Sequence, residues 1–173
     1  MRIISHRGNL TGADPNRENY PDQIKRVLET TNYDVEIDIW RDGSQFYLGH
    51  DLPKYLMTKD CLLKLIDEYD DRLWLHCKNL EALNYSTSIV RGRENWFWHE
   101  NDSFTLTSNR LIWTYPGRET TENSVIVLPN ILSSFSYNIY GICTDFPDYF
   151  SAKLQHYTEA RLTRTDEEMA AKH

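Results

Sequence analysis

Short apolar runs alternate with segments of helical periodicity through the first half of the chain, the βαβ rhythm of a parallel sheet. Ile3-Ile4-Ser5 reads as a first strand. After the polar loop Asn9 to Glu18, Asn19 is placed to cap a helix that opens through Pro21 and repeats Ile24, Val27 and Leu28 on one face. Asp34 to Trp40 reads as a second strand, Gln45 to Leu48 as a short extra one, and Arg72 to Leu75 as the third main strand. A helix from Lys59 to Tyr69 carries Leu62, Leu63 and Ile66 on its inner stripe. Asn79 is placed to cap another, with Leu80, Leu83 and Ile89 inward, before a strand at Asn95 to Trp98. Beyond it the helical signal thins. Leu111 to Thr114, Ser124 to Leu128 and Gly141 to Thr144 read as strands with only short segments between them, and a last helix runs from Asp148 to about Leu162.

Strands that each end in a polar or ionisable residue fit a TIM-type (β/α) barrel, whose site gathers at the C-terminal strand ends. Such barrels usually take ~250 residues, and this chain has 173. The expected fold is therefore a reduced α/β barrel with helices shortened or missing in its second half and no room for an inserted cap. No repeat, low-complexity tract or linker divides the chain, so residues 1–173 read as a single domain.

Composition narrows the partners. A hydrophobic share of 40% supports a real core, and a formal charge of −7 with no Lys/Arg-rich block argues against nucleic acid or an anionic membrane. Cys61, Cys77 and Cys143 are widely spaced and odd in number, which indicates neither a disulfide framework nor a structural zinc site. No leader pattern and no membrane-spanning apolar run is present, so a cytoplasmic protein without membrane insertion is expected.

The candidate chemistry sits at strand ends. In His6-Arg7-Gly8 the imidazole can reach a phosphate or its leaving oxygen, Arg7 can fork onto phosphoryl oxygens, and Gly8 permits close backbone approach. Glu36 and Asp38 are two apart in a strand and project to one face, an arrangement that calls for a neutralising cation if buried. Gly49-His50-Asp51 supplies a second imidazole. His76 and Lys78 would share a face, with Cys77 turned toward the helices as a small core residue. Glu18-Asn19 serves equally as an acidic helix start or as site support. His99 and Trp113 follow or occupy later strands, as core and turn groups or as pocket walls, and Asp145 lies in Thr144-Asp145-Phe146-Pro147.

His6-Arg7-Gly8, Glu18-Asn19, Glu36-Ile37-Asp38, Gly49-His50-Asp51 and the Thr144-Asp145-Phe146-Pro147 ending together resemble the glycerophosphodiester phosphodiesterase family, a branch of the phospholipase-C-like phosphodiesterase barrels. The resemblance implies hydrolysis of a small-molecule phosphodiester with one divalent ion, Mg²⁺, Ca²⁺, Mn²⁺ or Zn²⁺. It implies ligands from Glu36, Asp38, His76 and Glu18, and catalysis by His6 and His50 with Arg7 and Lys78 on the phosphoryl charge. Substrate contacts would come from Arg7, Lys78, Trp113, His99 and Asp145, the last also orienting a site histidine or Arg7. His76 departs from the family, which places an acid there; the exchange shifts metal preference toward Mn²⁺ or Zn²⁺ or marks a lost ligand. Two other readings stand beside this one: a degenerate phospho-ligand binding or regulatory domain, and a lyase forming a cyclic phosphate, with Trp40, Trp98, Trp113 and Tyr115 as a cation-binding wall.

Overall fold

Alternation along the first strand already divides the molecule. In β1 (Arg2–His6), Ile4 and His6 face one side of the sheet, while Ile3 packs on the other. The computed structural model describes residues 1–88, 95–131 and 138–170. Within them β1 is followed by α1 (Pro21–Thr30), β2 (Asp34–Asp42), the hairpin strands β3 (Gln45–Leu48) and β4 (Tyr55–Met57), α2 (Lys59–Tyr69), β5 (Leu73–Cys77) and α3 (Leu80–Ser88). The second half contributes β6 (Asn95–Phe97), β7 (Phe104–Leu106), β8 (Ile112–Thr114), β9 (Ser124–Val127), β10 (Gly141–Thr144) and α4 (Pro147–Ala170).

The ten strands form one mixed sheet. A parallel array runs β6-β5-β2-β1-β10-β9-β8. The β3–β4 hairpin pairs antiparallel with the outer part of β2, and β7 pairs antiparallel with β8. The closed, helix-surrounded TIM-type barrel expected from the sequence is not formed. Among the described residues no ladder joins β6 to β8 or β7, so the sheet curls into a half-barrel, and no helix lies between β6 and β10. The physical reason is spacing: five strands share the stretch from Asn95 to Thr144, and most of the connections between them are too short for repeated βα units. The open seam is bridged instead by aromatic rings, Phe97 on Trp113 at 4.4 Å and Trp113 on Trp74 at 5.7 Å between centroids.

Helices cover the outer face where they exist. Val35, Ile37 and Ile39 of β2 and Leu73, Leu75 and Cys77 of β5 pack with Ile24, Val27 and Leu28 of α1, Leu62 and Ile66 of α2 and Ala82 of α3. Ile3, Ile126 and Ile142 pack with Phe150 of α4. The inner face carries Ile4, Trp74, Phe97, Trp113, Val125, Val127 and Cys143. Each β2 residue thus commits its neighbour to the opposite environment, which is why the apolar Val35, Ile37 and Ile39 force Asp34, Glu36 and Asp38 inward.

Local details depart from the sequence reading. Tyr20, not Asn19, precedes α1, without a side-chain cap; Pro21 opens the helix with its φ already set. Thr58 caps α2 by accepting from the Cys61 N–H at 3.2 Å, and Asn79 caps α3 by accepting from the Ala82 N–H at 3.0 Å. Leu80, expected inward, is 73% exposed, and Ala82 and Ser86 take the inner stripe. Ile89 lies outside the described residues. The short strands β4 and β7 were not expected, and α4 begins at Pro147 and continues beyond Leu162.

Asp34 anchors the floor of the curl. It is buried, takes the Trp74 indole N–H at 3.0 Å, and faces Arg2 Nη1 at 3.0 Å. Burial nevertheless pushes its carboxyl up to about 6, against the pull of Trp74, Arg2 and Arg72. A folded-state pKa above the unfolded value contributes stability that is complete below pH ~4 and is lost as pH rises through ~6. A displacement of that size corresponds to about 3 kcal/mol. Denaturant titrations at pH 4 and pH 7 should therefore show wild-type stability falling by up to that amount relative to Asp34→Asn. A difference that does not change with pH would show that the Asp34 carboxyl titrates alike in the folded and unfolded chains.

Candidate functional site

The sheet register, rather than any local motif, assembles the site. β1 pairs with β2 so that His6 lies opposite Glu36, and β2 pairs with β5 so that Asp38 lies opposite His76. Glu36, Asp38 and His76 are each less than a tenth exposed, and one ligand-type atom from each lies within 4.8 Å of the others.

The two carboxylates are treated differently. Asp38 Oδ2 accepts from Asn19 Nδ2 at 2.8 Å and lies 3.1 Å from Arg7 Nε; Oδ1 lies 2.9 Å from His76 Nδ1 and 3.6 Å from Lys78 Nζ. Asn19 also accepts the Asp38 N–H at 2.9 Å. Burial alone would raise this carboxyl, but His76, Arg7 and Lys78 hold it well below the usual carboxylate range. Among the described residues no Lys or Arg side chain lies at ion-pair distance from Glu36. Its Oε2 accepts from the Arg7 N–H at 3.2 Å, and His76 Nδ1 stands 3.7 Å from Oε1. Burial, and then the charge of Asp38, push its pKa upward. Asp38 Oδ1 and His76 Nε2 are buried without an aligned hydrogen-bond partner, as is Arg7 Nε. Orphaned oxygen and nitrogen atoms beside an uncompensated carboxylate fit a divalent ion that accepts mixed ligands.

His6 completes the wall. Its Nδ1 donates to Asp145 Oδ1 at 2.7 Å, which leaves Nε2 on the side of Glu36, 4.0 Å from Oε2. Burial would lower the His6 pKa, but Asp145 and Glu36 outweigh it and leave it raised. His50 is exposed at the pocket rim, and what desolvation it has lowers its pKa; its Nδ1 is 2.7 Å from Asp51 Oδ1. Two imidazoles displaced in opposite directions suit a division between acid and base.

A pocket of about 250 Å³ joins these groups, lined by His6, Arg7, Glu36, His50, His76, His99, Trp113, Tyr115 and Leu128 among others. His99 stacks on His76 at 4.4 Å, its ring nitrogen 3.3 Å from the Tyr115 hydroxyl, and burial lowers its pKa to about 4. The pocket border holds backbone in the left-handed region at Arg7 (φ 54) and Leu128 (φ 45), side chains for which this is strained.

The structure therefore brings together His6, Arg7, Glu36, Asp38, His76, Lys78 and Asp145, with His50, His99 and Trp113 at the pocket wall. Glu18 stands apart from the ligand cluster. Its two oxygens take Arg7 Nη1 and Asn9 Nδ2, each at 3.1 Å, so it steadies the arginine. Of the aromatic wall, Trp113 and Tyr115 line the pocket; Trp40 donates to the Gly49 carbonyl at 2.6 Å and braces the turn before His50, and Trp98 does not line the pocket. Cys77 faces α3 as expected, 3.3 Å from Ser86 Oγ, its thiol pushed up to about 11 by burial. Sequence reasoning missed Asn9, which ties Asp145 (2.8 Å) to Glu18, and missed Asn19 as the partner of Asp38. Nothing in the order of residues marks Asn9; Asn19 was visible only as a helix cap.

The unequal partners of the two acids predict opposite effects on metal-free protein. Glu36→Gln keeps the Arg7 N–H bond and removes repulsion, so stability should hold or rise. Asp38→Asn removes the carboxylate that faces Lys78 and one of the two that face Arg7, and should cost about 3 kcal/mol or more. Urea unfolding of both variants in excess chelator checks the contrast; equal losses would mean that Glu36 is neutralised within the protein.

The chain matches no protein-family model, no curated protein and no solved structure. Its chemistry therefore rests on the arrangement of its own side chains.

Proposed function

We propose that this chain is a metal-dependent phosphoric diester hydrolase of glycerophosphodiester phosphodiesterase type, acting on a glycerophosphodiester or similar small polyol phosphodiester. The observation that carries the reading is the convergence, at one pocket, of an Asp145-backed His6, Arg7, Glu36 and His76, with Asp38 buried beside them in the same cluster. Lys78 stands behind it on Asp38.

Glu36, Asp38 and His76 are the residues that would hold the ion, and a mixed oxygen and nitrogen set favours Mn²⁺ or Zn²⁺ over Mg²⁺ or Ca²⁺. When bound, a divalent ion there supplies Lewis-acid stabilisation of charge on a non-bridging phosphoryl oxygen. The protein's own groups do the rest. Arg7, held in place by Glu18, and Lys78 stabilise the equatorial oxygens as charge builds. His6 and His50 divide the proton transfers, one taking the proton of the attacking water and the other giving one to the departing alkoxide. Asp145 fixes the His6 tautomer so that Nε2 is the working nitrogen. The half-barrel has no cap over the pocket among the described residues, which suits a substrate held mainly through its phosphate. No helix among the described residues is long and apolar enough to cross a membrane. Cys77 and Cys143, buried as free thiols, fit a reducing cytoplasmic setting.

Hydrolysis of glycerophosphodiesters should depend on added Mn²⁺ and disappear in excess chelator. His6→Ala and His50→Ala should each lower turnover by at least ~100-fold with the circular dichroism spectrum unchanged. Release of a phosphomonoester is the expected product; a cyclic phosphate would assign the lyase reaction instead. Wild-type turnover in either histidine variant would overturn the acid–base assignment, and phosphate-ester binding without turnover would make the domain a binding module.

A further inference from the structure

A second cavity, of about 400 Å³, adjoins the first under the loops 15–19 and 49–54 and shares Arg7 and His50 with it. The loops that roof it are tied to each other. Lys54 Nζ donates to the Pro15 carbonyl at 3.0 Å, the Tyr55 hydroxyl donates to the Asn16 carbonyl at 3.2 Å, and the Tyr20 and Tyr55 rings meet edge-on at 5.2 Å. Gly49 (φ 149) is held where a Cβ would lie 2.3 Å from the Leu52 carbonyl oxygen, so only glycine closes this turn. The cavity is thus a built feature on the far side of the Arg7 and His50 wall.

The two cavities present different side chains. Beyond its catalytic groups, the smaller one offers mostly Trp113, Pro116, Val127 and Leu128, and its Tyr115 hydroxyl is engaged by His99. The larger one adds Asp51 and Lys54 to Pro15, Leu52 and Pro53: a carboxylate that uses one oxygen on His50, and an ammonium that makes one hydrogen bond, to Pro15, and lies 4.8 Å from the Tyr55 ring centroid. An acceptor and a donor with capacity to spare, a few residues apart, match vicinal hydroxyl groups, each of which both gives and takes a hydrogen bond.

Resting on the phosphodiesterase reading above, we propose that the substrate straddles the wall formed by Arg7 and His50, with its hydroxylated arm in the larger cavity. Lys54 and Asp51 are the specificity-determining residues for that arm. The other ester substituent lies toward Trp113 and Leu128.

Binding of two phosphate esters that differ only in the arm tests this without turnover. Titration calorimetry in Mn²⁺ should show glycerol 3-phosphate bound roughly 10-fold more tightly than methyl phosphate, the strength of one or two hydrogen bonds to charged groups. Lys54→Met should remove that preference and leave methyl phosphate affinity unchanged, and Lys54→Arg should restore most of it. Equal wild-type affinities, or a preference that survives Lys54→Met, would overturn the subsite while leaving the phosphodiesterase reading intact. Failure of both esters to bind would overturn the two together. A Lys54→Met variant that loses methyl phosphate as well would show that Lys54 shapes the loop rather than reading the arm, and would remove it from the specificity set.

Discussion

Two carboxylates on one face of a buried strand are the constraint around which this molecule is arranged. Glu36 and Asp38 are placed inward by the apolar residues between and beside them, and their desolvation must be met from neighbouring elements. His76, Asn19, Arg7 and Lys78 meet it for Asp38; for Glu36 there is one backbone N–H and two imidazoles at longer range. The unequal solution gives the site its direction. A group that remains short of positive charge in the protein alone is the place where an ion adds most.

The two halves of the sheet contribute different things. β1, β2 and β5 are backed by α1, α2 and α3, and this rigid support fixes His6, Glu36, Asp38 and His76 to their register partners. The second half has no such backing between β6 and β10 among the described residues, and gives mainly an aromatic and aliphatic wall, with Asp145 and His99 as its polar groups at the site. Phe97 and Trp113 fill the interior where further strands would close a barrel. An open seam and an open mouth follow from the same shortage of chain.

Period-two alternation made part of this readable in advance. The common face of Glu36 and Asp38, the inward turn of His76 and the outward turn of Cys77 needed only the strand assignment, and the strands were long or strongly apolar there. Closure was not readable, because whether β6 meets β8 depends on long-range pairing that no local pattern encodes. Asn19 illustrates a second limit. An asparagine before Pro21 looks like a cap, yet its left-handed backbone turns the side chain onto Asp38, and that choice is made by a residue nineteen positions away. Leu80 shows the converse: its place at the start of α3 gave it a periodic slot, but the packing against β2 and β5 favours Ala82 and Ser86. Asn9 had no sequence signal because its role exists only once β1 and β10 are adjacent and bring Asp145 to His6.

Anomalous diffraction from a crystal grown in Mn²⁺ is the most direct test of the central reading, that Glu36, Asp38 and His76 form one metal centre. The expected result is a single strong peak about 2.2 Å from an oxygen of each carboxylate and from a nitrogen of His76. A cluster without a peak at saturating Mn²⁺, with Asp38 still closed on Arg7 and Lys78, would contradict it.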